Sequence, residues 1–204
     1  MRCMRRHTIR RISFLLGLLA TLLSGMVEAA ADDLVGQVLV ASPQMSDPRF
    51  AGTVIYVVAH DRSGAMGLVL NRSFGEGSLK ELLRGFGLEN PSADGIIQLQ
   101  YGGPVDGSRG FVLHSADFSG AGTRLIGKGV ALSSGFDVLR AIASGKGPQQ
   151  RRIYLGYAGW GPGQLEEELG RDDWMTAPAD SAVVFDEDLA TLWETARKGA
   201  GRSL

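Results

Sequence analysis

From Leu34 onward the chain alternates short runs of β-branched and aromatic residues with glycine-bearing breaks. Gly52–His60 contains Thr53-Val54-Ile55-Tyr56-Val57-Val58 and reads as a strand, and its near-continuous apolarity predicts burial on both faces. Asp61-Arg62-Ser63-Gly64 supplies hairpin-turn residues, so Ala65–Asn71 is expected to return beside it. Leu34–Ala41, Ile96–Tyr101, Gly110–His114, Thr123–Leu132 and Arg152–Leu155 carry further strand patterns, and Val183-Val184-Phe185 reads as a short last strand. The two glycines inside Thr123–Leu132 predict a bend or bulge. Helical spacing appears after Ser78-Leu79-Lys80-Glu81, a capping box that places Leu79, Leu82, Leu83 and Phe86 on a buried face, with Gly85 or Gly87 at its end. A second helix is predicted after Ser133-Ser134, with Phe136, Leu139 and Ala143 inward and Gly145 as its stop. A last helix follows Asp186 or Asp188, with Leu189, Leu192, Trp193 and Ala196 on one face and Gly199 at its end. Ser42–Phe50, Ser73–Gly77, Glu89–Gly95 and Asp117–Gly122 read as loops, and Asp106-Gly107 as a turn. Strands joined by short hairpins imply mostly antiparallel pairing, hence a single α+β domain.

The densest break is Gly156-Tyr157-Ala158-Gly159-Trp160-Gly161-Pro162-Gly163, between the Arg152–Leu155 strand and a helix over Gln164–Leu169. Pro162 pre-sets φ for a first helical turn, Glu166, Glu167 and Glu168 suit the positive end of the helix dipole, and Leu165 and Leu169 define a buried face. The outline is that of a phosphate loop, but the details refuse it. Gly-Lys-Ser/Thr is missing, and the G-x-G-x-x-G pattern begun by Gly159 and Gly161 meets Gln164 where its third glycine belongs. Three glutamates at the helix start would also repel a phosphate. The expectation is a tight structural corner that packs Trp160 and Tyr157.

Gly156–Glu168 resembles the hallmark of the AlgH-like (YqgE-like) bacterial family. Three other stretches match in order: Ser42–Phe50; Val54–His60 with Gly64–Arg72; and Gly102–Val105 with Arg109–Ser115. The resemblance runs from Leu34 to Trp193. It implies a curled, partly barrel-like mixed sheet surrounded by helices, and a fold more than an activity. On the motifs lie Asp47, Arg49, His60, Asn71, Arg72, Arg109, His114, Trp160, Gln164 and Glu166, the candidate binding residues. Two departures stand out. Asp172-Asp173-Trp174 lacks the asparagine the family places before the matched tryptophan. Asn71-Arg72-Ser73 replaces Asn-Arg-Pro, which should loosen that turn.

The leading residues change the picture of where the domain works. Arg2, Arg5, Arg6, Arg10 and Arg11 precede the apolar run Ile12–Met26, and Val27-Glu28-Ala29 or Ala29-Ala30-Ala31 offers a small-residue cleavage site. This is the layout of a secretory signal peptide, with residues 1–31 removed and 32–204 left as the domain. Arg10-Arg11 hints at a twin-arginine signal, but its flanks favour the general route. Cys3 lies before the apolar run, so it is no lipid-anchor cysteine. Export to the periplasm is the expectation. A start at Met26 would instead give a cytoplasmic protein of the family's usual length. Removing the leader takes five arginines and one glutamate from 21 basic and 22 acidic side chains, leaving 16 against 21, a net of −5. That balance suits a polyanion poorly and argues against a nucleic-acid partner. Cys3 is the one cysteine, so disulfides and thiolate metal sites are excluded from the processed chain.

Candidate chemistry is sparse. His60 and His114 end strands and are followed by Asp61 and Asp117, so neighbouring strands could assemble a metal site or a general base. No H-x-x-x-H or H-E-x-x-H spacing supplies further ligands, and a histidine at a strand end commonly bonds a loop backbone. G-x-S-x-G is absent, and Ser115 and His114, adjacent on a strand, point to opposite faces. Glu168 and Asp172 share a helical face, which an exposed solvated pair explains equally well. Asp47 and Arg49 suit either a recognition loop or a turn cap with a surface pair. Three functions follow. A non-enzymatic binding or accessory domain with a protein or small-molecule partner leads, with no catalytic residue, metal or cofactor expected. A hydrolase using His60, His114 and a shared carboxylate, and a transcriptional regulator as the family's name implies, are the alternatives.

Overall fold

Ten strands and five helices make up residues 34–88 and 94–200, the part of the computed structural model described here. The predicted leader lies outside these residues. The elements run β1 (Gln37–Ala41), β2 (Val54–Asp61), β3 (Gly64–Val69), β4 (Ser73–Ser78), α1 (Leu79–Gly85), β5 (Ile96–Tyr101), β6 (Val105–Ser115), β7 (Thr123–Gly127), β8 (Val130–Ser133), α2 (Phe136–Ala143), β9 (Arg151–Trp160), α3 (Gln164–Gly170), β10 (Trp174–Pro178), α4 (Ser181–Val184) and α5 (Leu192–Ala200).

One sheet in the order β10-β1-β2-β3-β9-β6-β8-β7 carries the fold, with β5 joined to β9 and β4 to β5. Every described pairing is antiparallel except β5 with β9. The result is the expected curled half-barrel of an α+β domain. Alternation along β2 shows why its sequence is continuously apolar. Val54, Tyr56 and Val58 enter one core with Leu68, Leu113 and Tyr154, which Val184, Phe185 and Leu192 cap. Ile55 and Val57 enter a second core with Val69, Trp160, Leu165 and Trp174. A third lies under α1 and α2, with Leu83, Val112, Leu139, Ile142 and Ile153. Each fully buried side chain of this size contributes about 1.5–3 kcal/mol.

Several elements differ from the sequence reading. Ser73–Ser78 is a strand rather than a loop, because β5 pairs along its whole length. β6 begins at Val105, with Asp106 at φ 45 inside its irregular first half, so Asp106-Gly107 does not end the element. Thr123–Leu132 is not one bent strand but the hairpin β7–β8, broken at Lys128-Gly129. Val183–Phe185 is not a strand. Asp180 accepts from the N–H groups of Ala182 and Val183 and turns Ser181–Val184 into a helix. β10 was not foreseen. The α2 cap is Gly135 without a side-chain bond, and Phe136 is exposed, leaving Val138, Leu139 and Ile142 as the buried face. Gly145, at φ 70, does stop that helix, whereas Gly199 lies inside α5.

Candidate functional site

The glycine-rich corner is shorter than the sequence suggests. β9 runs unbroken through Gly156 to Trp160, and the bend is confined to Gly161-Pro162-Gly163, with Gly163 at φ 74 as N-cap of α3. Pro162 therefore precedes the cap rather than opening the helix. Gln164 closes the corner by accepting from the Gly161 N–H (3.0 Å) and donating to Glu168 Oε1 (2.9 Å). Glu168 Oε2 accepts from the indole N–H of both Trp160 and Trp174, each at 2.8 Å. The two indoles meet edge to face with centroids 6.0 Å apart, and Phe50 packs on both.

Phe50 is delivered by the Ser42–Phe50 loop, and the other motif residues hold that loop. The Asp47 carboxylate accepts from the Arg49 guanidinium (2.7 Å to Nη2) and from its backbone N–H (2.9 Å), and these bonds hold Asp47 below the usual carboxylate range. The Asp47 carbonyl accepts from Phe50 and Ala51 N–H, so Asp47 caps the turn. Arg72 donates to the carbonyls of Arg49 (2.6 Å) and Ala51 (3.0 Å). Asn71 donates to the Gly52 carbonyl (2.8 Å) and accepts from Val54 N–H (2.9 Å). Ser73, in place of proline, accepts from Gly75 N–H and donates to the Leu99 carbonyl, so it fastens the turn instead of loosening it.

His60 joins this assembly from the end of β2. Its side chain is only 3% exposed. Nδ1 faces the Leu34 N–H (3.4 Å), which assigns the proton to Nε2 and makes it the donor to Glu166 Oε1 at 2.8 Å. That bond, helped by the residue's own backbone N–H, holds Glu166 below the usual carboxylate range. The acidic run on α3 is thus divided: Glu166 serves the histidine and Glu168 the indoles.

His114 lies elsewhere, fully buried. Nδ1 donates to the Ser115 carbonyl (2.8 Å), so Nε2 accepts from Ser133 Oγ (2.9 Å). Ser133 in turn accepts from Thr123 Oγ1 (2.7 Å), which accepts from Gly120 N–H (3.1 Å). The chain of donors runs one way and ends on the histidine. Ser133 resembles a nucleophile beside its base, but the residue is 1% exposed, which leaves no room for a reacting carbonyl. Asp117 accepts from Ser115 Oγ and Gln149 N–H and not from His114. The two histidines share no carboxylate, so the meeting of His60 and His114 that the hydrolase alternative required does not occur. Among the described residues no group of three or more His, Cys, Asp and Glu side chains is arranged to hold a metal. Arg109 is also apart, exposed with its guanidinium 5.2 Å from the Phe111 ring centre.

The motif residues thus divide. Asp47, Arg49, Asn71, Arg72, His60, Trp160, Gln164 and Glu166 gather around the loop, the corner and α3, while Arg109 and His114 do not join them. Sequence reasoning missed Phe50, Glu168 and Trp174. The four-residue step from Gln164 to Glu168 was the available signal for Glu168.

Comparison with known proteins bears on the family and the fold. A family model described as AlgH-like matches residues 38–204. A UPF0301 protein of Methylococcus capsulatus is 53% identical over 172 residues, covering 84% of this chain and 94% of the relative. One from Rhodospirillum rubrum is 47% identical over 163 residues, covering 80% and 85%. The solution structure of the AlgH protein from Pseudomonas aeruginosa superposes with a TM-score of 0.72 at 43% identity, covering 86% of this chain and 93% of that one.

Proposed function

Since the chain belongs to the AlgH-like family, we propose that it is a non-enzymatic binding or accessory domain, exported to the periplasm. One observation carries the reading: most of the motif's polar side chains, Arg109 apart, are bonded within the protein itself. Arg72 and Asn71 are occupied by the loop backbone, Glu168 by two indoles, His60 by Glu166 and His114 by Ser133. A general base or nucleophile needs a free reach toward substrate, and these groups are held away from one. What the motif builds is a rigid surface. The net charge of −5 on residues 32–204 favours a partner other than nucleic acid over the regulator reading.

The test is a panel of fluorogenic ester, peptide and phosphate substrates with the purified protein. Rates at the blank level are expected, unchanged in His60→Ala and Glu166→Gln. Turnover that either substitution abolishes would overturn the reading. The export proposal rests on the basic, apolar, small-residue order of residues 1–31. Cell fractionation with N-terminal peptide mass spectrometry should find a chain starting near Asp32 in the periplasm; an intact Met1 or a Met26 start in the cytosol refutes export.

A further inference from the structure

A cleft of about 830 Å³ opens between β5, the start of β9 and the Phe185–Ala190 segment, away from the motif assembly. Its size falls within the range of small-ligand sites. Two polar side chains that border it each keep one buried atom unpaired. Gln100 is 3% exposed, and its Oε1 accepts no hydrogen bond. Arg152 spends Nη2 on the Asp186 carbonyl, while its Nη1 is buried and unpaired. The register of β5 against β9 sets Gln100 opposite Tyr154, so Gln100 and Arg152 lie on one face of the sheet, one step apart along the strand pair. A buried acceptor without a donor is destabilising, and a charge without a counter-ion more so. None of the ion pairs among the described residues involves Arg152. The Tyr154 hydroxyl lies beside the guanidinium, but burial pushes it up to about 12, so it is neutral and supplies no counter-charge.

The missing partners define a ligand. Arg152 asks for an anion and Gln100 Oε1 for a donor next to it. A phosphate monoester dianion offers acceptors only, and Glu187 and Asp188 on the rim would repel its double charge. Asp188 is held ionised by bonds from the Thr191 hydroxyl and N–H. A carboxylate with a neighbouring N–H meets both needs, and Phe185, Leu189 and Ala190 supply apolar wall for a side chain. We propose that this cleft binds the C-terminal end of a short peptide, its carboxylate on Arg152 and its last N–H on Gln100. The proposal rests on the binding-domain reading and gives that reading a ligand class.

The experiment titrates ¹⁵N-labelled full-length protein with a panel of tripeptides ending in apolar residues. Each is offered as the free acid and as the C-terminal amide, beside leucine and inorganic phosphate. The free acids should saturate and shift the amides of Gln100, Arg152 and Phe185. The peptide amides should bind about 10- to 100-fold more weakly, as loss of a charge-assisted bond requires. Arg152→Lys and Gln100→Leu should each weaken the free acids while thermal melts stay cooperative. Comparing acid with amide on the unaltered protein keeps the test valid if a variant fails to fold. No saturable shift, equal affinity for acid and amide, or phosphate or leucine binding as tightly as the peptides would overturn the site. Cleavage of bound peptide would keep the site and overturn the non-enzymatic reading, so the two failures are distinguishable.

Discussion

Glu168 is the residue on which the motif's aromatic side chains depend. One carboxylate oxygen satisfies two indole N–H groups on residues only 6% and 3% exposed. Replacing it with leucine leaves both donors buried without an acceptor, at about 1–3 kcal/mol each. We expect Glu168→Leu to lose about 2–5 kcal/mol in urea denaturation and to shift tryptophan emission. Glu168→Gln should lose less, about 1–2 kcal/mol, because an amide oxygen still accepts from the indoles while its NH₂ opposes the Gln164 donor. Glu166 acts through protonation instead. Its folded-state value lies below the ordinary 4.5 because it accepts from His60. A group so lowered adds stability above 4.5, and that increment disappears as pH falls through the folded value. In Tm measured against pH, the unaltered protein should therefore decline more steeply below pH 4.5 than Glu166→Gln. The two curves running parallel there would remove the His60–Glu166 bond from the account.

At the scale of elements, the Gly102-Gly103 pair sets how closely the chain leaving β5 crosses β9. A Cβ on Gly103, at φ 151, would stand 2.2 Å from the Tyr157 carbonyl carbon, and one on Gly102 would stand 2.1 Å from the Gly156 oxygen. These contacts are with backbone, which cannot rotate aside, so Gly103→Ala should cost about 3–5 kcal/mol or prevent folding. Soluble yield and the denaturation midpoint would check it. This crossing also shows what the sequence could and could not convey. The glycines marked a break, and strong β runs such as Val54–Val58 declared themselves by composition. β4, written Ser-Phe-Gly-Glu-Gly-Ser, has no strand pattern, because its strand state comes from β5 pairing beside it. β10 is five residues long, pairs only with β1 among the strands and ends on Pro178, so it offered little pattern. Val183 and Val184 favour a strand by propensity, yet two bonds to Asp180 turn them into helix. The site divided the same way. His114 bonds the Ser115 carbonyl of its own strand rather than a loop, so its place at a strand end pointed only to a backbone partner. The meeting of Glu168 with Trp174 depends on the turn Arg171-Asp172-Asp173, where Asp172 sits at φ 58. Aspartate is one of the few residues besides glycine that tolerate that left-handed position.

The curl of the sheet brings β7 back toward β2, and one side chain bridges the two. Arg124 donates from Nη2 to the Val58 carbonyl (3.1 Å), across 66 positions of chain. Gly36, just before β1, sits against the far end of β7, where a Cβ would stand 3.3 Å from the Ile126 oxygen. Val58 belongs to the core that fills the curl, together with Val130 and Leu132 of β8. The hydrophobic core therefore draws these strands together, and the arginine bond fixes their distance. Because Arg124 is exposed and its bond one of many at the seam, Arg124→Ala should cost only about 1 kcal/mol globally. Its local effect should be larger. β7 is the last strand in the sheet order, with Leu125 exposed at 68%, so little apolar burial holds it when the bridge is gone. Native-state hydrogen exchange should show faster exchange over Thr123–Gly127 in Arg124→Ala, with the β2–β3 amides unchanged. Uniform acceleration across the sheet would mean that the bridge supports global stability; no change in β7 would mean that packing alone closes the curl.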